Sequence, residues 1–233
     1  MKYLELSHRL SVDSPLPPGV PPVQILHHYS MDRGDVSNLF VLKLSNHCGT
    51  HIDAPWHFVA SGLRICDFRL EEFIFESPLC IDVSMADGQL LEPHHFQPQA
   101  KKIAVADLLL VRTGYTPVRR QSPERYALQA PGMSTRGASY LAENFPRLRA
   151  LGMDTISLAC MQHLDEGLEA HRILFRGHGR RFLIIEDMNL DFDFSHLRRV
   201  IALPLFIEGV DSSPCTVMGV TDEGGETSLT GLF

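Results

Sequence analysis

A mixed α/β domain is what this sequence predicts, on three observations. Apolar runs of strand length recur along the chain, they alternate irregularly with helical patterns, and 233 residues at 44% hydrophobic and 21% charged suffice for one sizeable core. The irregular alternation argues against a strict βαβ repeat, and no internal repeat is visible. One domain spanning residues 1–233 is expected, including a proline-rich N-terminal arm over residues 1–24.

After a short apolar opening, Tyr3 to Leu6, the stretch Ser11 to Pro22 carries five of the 15 prolines and lacks the amide donors for regular structure. "NLFVLKLS", Asn38 to Ser45, has strand composition and runs into a histidine-rich motif. Buried strands are expected in Pro78–Ser84, Asp107–Gly114, Leu148–Asp154, Arg181–Asp187 and Arg198–Gly209, all apolar runs bounded by Gly, Pro or polar clusters. Helices are expected over Phe68–Phe75, over Ser122–Leu128 with Pro123 in the first turn, over Ser134–Glu143 capped by Ser134 or Thr135, and over about Asp165–Phe175.

A net charge of −7 provides no electrostatic footprint for nucleic acid, and the pair Arg119 and Arg120 and the run Arg176 to Arg181 are too small to reverse that. The N-terminal "MKYLELSHRL" lacks the apolar core of a signal peptide, and no stretch approaches the length of a membrane span, so a cytoplasmic protein is expected. Cys48, Cys66, Cys80, Cys160 and Cys215 are odd in number, dispersed and never C-x-x-C, which points to reduced cysteines, most of them in the core.

Chemistry concentrates in "NHCGTHIDAPWHF", Asn46 to Phe58. His47 and His51 have the spacing of a helical zinc motif, but Cys48 stands where the glutamate would be, and Gly49, Thr50, Ile52 and Pro55 oppose a helix. In an extended chain alternate side chains share a face, so His47, His51, Asp53 and His57 would project together, with Gly49 leaving room between them. Two imidazoles and a carboxylate suit an open Zn²⁺ or Mn²⁺ site with a water in the vacant position. A lone histidine is most often structural, yet four polar groups on one face of an apolar strand would cost several kcal/mol if buried unpaired.

"HCGTHIDAPWHF" resembles the H-x-G-T-H-x-D-x-P-x-H-F signature of the metal-dependent cyclase-like hydrolases, which include bacterial kynurenine formamidases and isatin hydrolases. The likeness extends to "LSHRL", "LLLVRTGY", "GMSTRGASYLAE", "LRALGMDTISL", "HRILF", "FLIIED" and "IALPLFIEGVDSSP". The resemblance implies a swivelling β/β/α fold, a homo-oligomer of two or more copies, and one or two divalent ions. It implies His47, His51, Asp53, His171 and Glu186 as metal ligands, Asp53 bridging, and His57 as acid and base. Taken alone, His171 and Glu186 are ordinary residues, and their selection comes from the resemblance. Two departures stand out: the basic "RGHGRR" between them, and Asp187 directly after Glu186, a rival ligand. Cys48 is expected to pack away from the metal face.

The expected activity is hydrolysis of a small-molecule amide by a metal-activated water, with N-formylkynurenine or another aryl formamide as substrate. His57 would pass a proton to the leaving amine, and Trp56 and Phe58 would receive an aromatic group. Ring opening of a cyclic amide such as isatin, a cyclase or dehydratase reaction, and a non-catalytic metal-stabilised binding protein are the alternatives.

Overall fold

The computed structural model describes residues 1–177 and 181–222. The strands are β1 (Lys2–Glu5), β2 (Gln24–Tyr29), β3 (Leu39–Lys43), β4 (His51–Asp53), β5 (Ile74–Phe75), β6 (Pro78–Asp82), β7 (Leu90–Leu91), β8 (Leu108–Arg112), β9 (Gly132–Met133), β10 (Ala150–Met153), β11 (Leu183–Glu186), β12 (Leu197–Pro204) and β13 (Ser212–Thr221). The helices are α1 (Pro93–Phe96), α2 (Ala100–Ile103), α3 (Thr116–Gln121), α4 (Pro123–Gln129), α5 (Thr135–Asn144) and α6 (Leu164–Arg176).

A nine-stranded mixed sheet runs β5-β12-β13-β4-β11-β10-β8-β6, with β1 beside β13. The four strands from β6 to β11 are parallel, whereas β4 is antiparallel to both its neighbours, β11 and β13. The sheet curls until β12 packs against β6, so the whole is a nearly closed mixed α/β barrel. Its parallel strands are apolar on both faces, as strands covered on both sides must be. Leu109, Val111, Leu151, Met153 and Ile184 join one core with α5 and α6, while Leu108, Leu110, Ala150, Leu183 and Ile185 join another with Val200, Ala202 and Val217 of β12 and β13.

α5 begins at Ser134, whose hydroxyl accepts from the Gly137 amide at 2.9 Å. α6 buries Gly167, Ala170, His171, Leu174 and Phe175, the spacing of one helical face. The expected helix over Phe68–Phe75 is corrected. Glu72 turns back to accept from the Arg69 amide at 2.9 Å, which holds Leu70–Phe73 as a short 3₁₀ turn, and Ile74 and Phe75 then pair with β12. β3 forms where its strand composition places it, just before the motif, and pairs only with β2, in a separate two-stranded ribbon whose residues are all exposed.

Candidate metal centre

Register is what brings the polar residues together. Across β4 and β11, His51 faces Glu186 and Asp53 faces Ile184, and across β4 and β13, Asp53 faces Ser212. Ile184 lies in the core beneath α6, so His51, Asp53 and Glu186 share the face on which α6 places His171. Ile52 and Ile185, between them in sequence, enter the opposite core.

The motif is not one extended strand, which corrects the expectation from alternation. Only His51–Asp53 is β structure; Gly49 has φ 61°, and Pro55–His57 forms a 3₁₀ turn. Gly49 therefore supplies a left-handed turn rather than space between histidines. The turns on either side of β4 fold His47 and His57 back over it, with ring centroids 4.2 Å apart and the His47 and His51 rings at 5.1 Å.

His47 Nδ1 lies 3.2 Å from Asp53 Oδ1, and His51 Nε2 lies 3.5 Å from the same oxygen and 3.3 Å from Glu186 Oε2. His171 Nε2 lies 3.2 Å from Glu186 Oε1. Two groups of donors thus share Asp53: His47, His51 and Asp53, and Asp53, His171 and Glu186, each with atoms within 4.8 Å of one another. Asp187 turns the other way, with its carboxylate forked onto Arg119 at 2.7 and 2.8 Å and accepting from Tyr126 at 2.6 Å.

Surrounding contacts set which nitrogen of each ring faces the cluster. His51 Nδ1 donates to the Gly49 carbonyl at 2.9 Å and His171 Nδ1 donates to the Gly167 carbonyl at 2.7 Å, leaving both Nε2 atoms inward. Glu186 Oε1 also accepts from the Leu158 amide at 2.6 Å and Ser157 Oγ at 3.1 Å. Yet His51 Nε2 and both Asp53 carboxylate oxygens, all buried, make no hydrogen bond. Close approach without hydrogen-bond alignment means that these lone pairs converge on common points, the donor arrangement that fits a divalent cation.

The charges agree with that fit. Burial would raise Glu186, but His171 and His51 hold it well below the usual carboxylate range, and His51 and His47 lower Asp53 against the same penalty. Burial disfavours a charge on His47, yet Asp211 and Asp53 outweigh it and push its pKa up to about 10. Burial and Asp187 push the Cys48 thiol up to about 11, and Cys48 lines a cleft with Leu10 and Cys215 away from the cluster.

Asp211 is the residue that sequence reasoning missed. Its Oδ2 accepts from His57 Nδ1 at 2.6 Å and approaches His47 Nε2 at 3.3 Å, while Asn46 Nδ2 donates to its Oδ1 at 2.7 Å. Nothing in the spacing singled out this carboxylate within "FIEGVDSSP"; the signal was only the pairing of that segment with the motif strand. Phe58 packs on His171 with centroids 4.6 Å apart, whereas one face of Trp56 is taken by the Arg64 guanidinium at 4.1 Å. Of the basic segment, residues 178–180 lie outside the described residues, and Arg181 pairs with Glu72.

A family model described as putative cyclase matches residues 4–159. The chain belongs to this cyclase family. The kynurenine formamidase of Bacillus mycoides is 29% identical over 216 residues, covering 91% of this chain and 94% of that one. Among solved structures, an isatin hydrolase A from Labrenzia aggregata aligns with TM-score 0.79 at 23% identity, covering 95% of this chain and 94% of that one. A predicted metal-dependent hydrolase from Bacillus stearothermophilus aligns with TM-score 0.71 at 21% identity, covering 94% and 97%. The structural likenesses show a shared fold over nearly the whole chain.

Proposed function

We propose that this chain is a metal-dependent hydrolase of aryl amides, with N-formylkynurenine or a related aryl formamide as substrate. The observation that carries the reading is the pair of buried donor groups sharing Asp53 beside the His57–Asp211 couple. The whole-length likeness to kynurenine formamidases supports the choice of substrate class.

His47, His51 and Asp53 would hold one divalent ion, and Asp53, His171 and Glu186 a second, Zn²⁺ and Mn²⁺ both suiting such ligands. When bound, the metal supplies Lewis-acid polarisation of the carbonyl and acidifies a water. The rest is the work of the chain. Burial of Asp211 would raise its pKa, but His47 and His57 hold it far below the usual range, so it is an ionised acceptor and His57 Nδ1 must carry a hydrogen. In the neutral ring His57 Nε2 is then the basic atom, free to take a proton from the attacking water and return it to the departing nitrogen. Phe58, stacked on His171 and in edge contact with His57, offers an apolar wall for an aryl group.

Elemental analysis of the purified protein, paired with N-formylkynurenine hydrolysis before and after chelation and metal restoration, tests this. Bound Zn²⁺ or Mn²⁺ with chelator-sensitive turnover is expected. Protein that takes up neither ion refutes the reading. Metal without formamide hydrolysis moves the substrate to the cyclic aryl amides, whose scissile bond is likewise an amide to an aryl-attached nitrogen.

A further inference from the structure

Asp211 serves two imidazoles with one oxygen. Its Oδ2 accepts from His57 Nδ1 at 2.6 Å and stands 3.3 Å from His47 Nε2, so one carboxylate touches both the metal donors and the base. An ionised oxygen has lone pairs for two such bonds, but only while the carboxylate plane keeps Oδ2 between the rings. The backbone does not set that plane. The Asp211 carbonyl accepts from the Ala54 amide at 2.9 Å, which fixes the main chain beside Asp53 and leaves the carboxylate to turn about its Cβ–Cγ bond. Packing does not set it either, since the side chain is 22% exposed.

Asn46 supplies the missing restraint. A carboxylate has no hydrogen to give, so the Asn46 atom 2.7 Å from Asp211 Oδ1 must be the amide nitrogen. Its second hydrogen goes to Ser212 Oγ, also at 2.7 Å, and that hydroxyl lies 3.0 Å from His47 Nε2. Ser212 is fully buried and faces Asp53 across β13 and β4, so the amide is anchored on the rigid part of the sheet. With Oδ1 and the hydroxyl both held, the hydrogen of His47 Nε2 has acceptors on its outer side. Nδ1, 3.2 Å from Asp53 Oδ1, is then the lone-pair atom that a metal would meet. The same restraint keeps the His57 hydrogen on Nδ1 and its lone pair on Nε2.

We infer that Asn46 is a positioning residue, which fixes the tautomers of His47 and His57 together through Asp211 and Ser212. It binds neither metal nor substrate itself. A neutral donor suits this place, because a lysine or arginine would draw the charge of Asp211 away from the two rings. The consequence for turnover rests on the hydrolase reading; the chain of hydrogen bonds does not.

NMR of the Zn²⁺-loaded full chain, labelled with ¹⁵N in its histidine rings, tests the inference without an activity assay, the His57 signals being those missing from His57→Ala. The wild type should show His57 as the Nδ1–H tautomer with a far-downfield Nδ1 proton, as a bond of 2.6 Å requires. Asn46→Asp keeps the size of the side chain and removes both donors; Asn46→Ala removes the side chain. Both should move that proton upfield and mix the two His57 tautomers. Titration of Zn²⁺ into the chelated variants should show affinity about 10–100-fold weaker for an ion, the usual loss when a partner behind a ligand is removed. Where N-formylkynurenine is hydrolysed, kcat should fall about 10-fold or more with KM unchanged. Unaltered His57 signals and Zn²⁺ affinity in the two variants overturn the inference. Lower thermal stability with both of those readouts unaltered does so too, because it would make Asn46 a residue of the fold alone. Zn²⁺-loaded wild type that hydrolyses no amide defeats the hydrolase reading, and the ring signals and Zn²⁺ affinities still decide the role of Asn46.

Discussion

At the scale of single residues, the couple His57–Asp211 and the clamp around Asp187 do different work and predict different losses. His57→Ala removes an acid and base without removing a donor from either group that shares Asp53, so turnover should fall about 10²–10⁴-fold with metal content intact. Loss of metal in that variant would make His57 a ligand and refute the division of roles. Asp53→Ala, by contrast, takes a donor from both groups and should abolish metal uptake and activity together; elemental analysis and turnover of the one sample decide it. Asp187 is buried with φ 53°, directly after Glu186, and its only guanidinium partner among the described residues is Arg119. Thr50, next to His51, donates to its carbonyl, so this residue ties the motif to the Glu186 strand. Arg119→Met leaves that buried carboxylate uncompensated and should cost about 3–5 kcal/mol in denaturant unfolding. An unchanged midpoint would show the clamp to be dispensable.

At the scale of elements, the same positions decide what could be read from sequence. The parallel strands and α4, α5 and α6 were legible, because long apolar runs and Pro123 and Ser134 at helix starts are local signals. β13 was not, since Ser212, Ser213, Pro214 and Gly219 read as turn residues while pairing with β4, β1 and β12 fixes them as strand. That omission hid Asp211, which ends the loop feeding β13. The histidines of the motif were found by an alternation that the fold uses only for His51 and Asp53; Gly49 and the Pro55 turn bring His47 and His57 to them. Gly49→Ala tests that account. A side chain at φ 61° costs about 1–2 kcal/mol, and its Cβ would stand 2.9 Å from Leu10 Cδ1. Thermal unfolding should register that loss, and isothermal titration should register weaker metal binding because His47 leaves its place relative to His51. Destabilisation with unaltered metal affinity would mean that the turn serves the fold alone.

At the scale of the molecule, the sheet order is what makes a site from distant segments. β13, β4 and β11 lie side by side although Asp211, the motif and Glu186 are far apart in sequence, and α6 adds His171 from above. The cluster therefore joins adjacent strands to the helix that covers them, so metal binding there would be linked to folding. An ion at about 100 times its dissociation constant adds about 2.7 kcal/mol, which for a chain of this size raises Tm by about 5–10 °C. The increment should depend on pH in a fixed direction. In the ion-free protein His47 keeps its proton up to about pH 10, against 6.5 when unperturbed. Between those values the folded state binds more protons than the unfolded chain, so this contribution to stability is whole below about 6.5 and lost as pH rises through about 10. A metal competes with that proton, so its binding strengthens over the same interval. Calorimetry of chelated and metal-saturated protein at rising pH should show the chelated Tm falling and the metal-induced increment growing. An increment that is constant or shrinks toward alkaline pH would remove His47 from the ligand set.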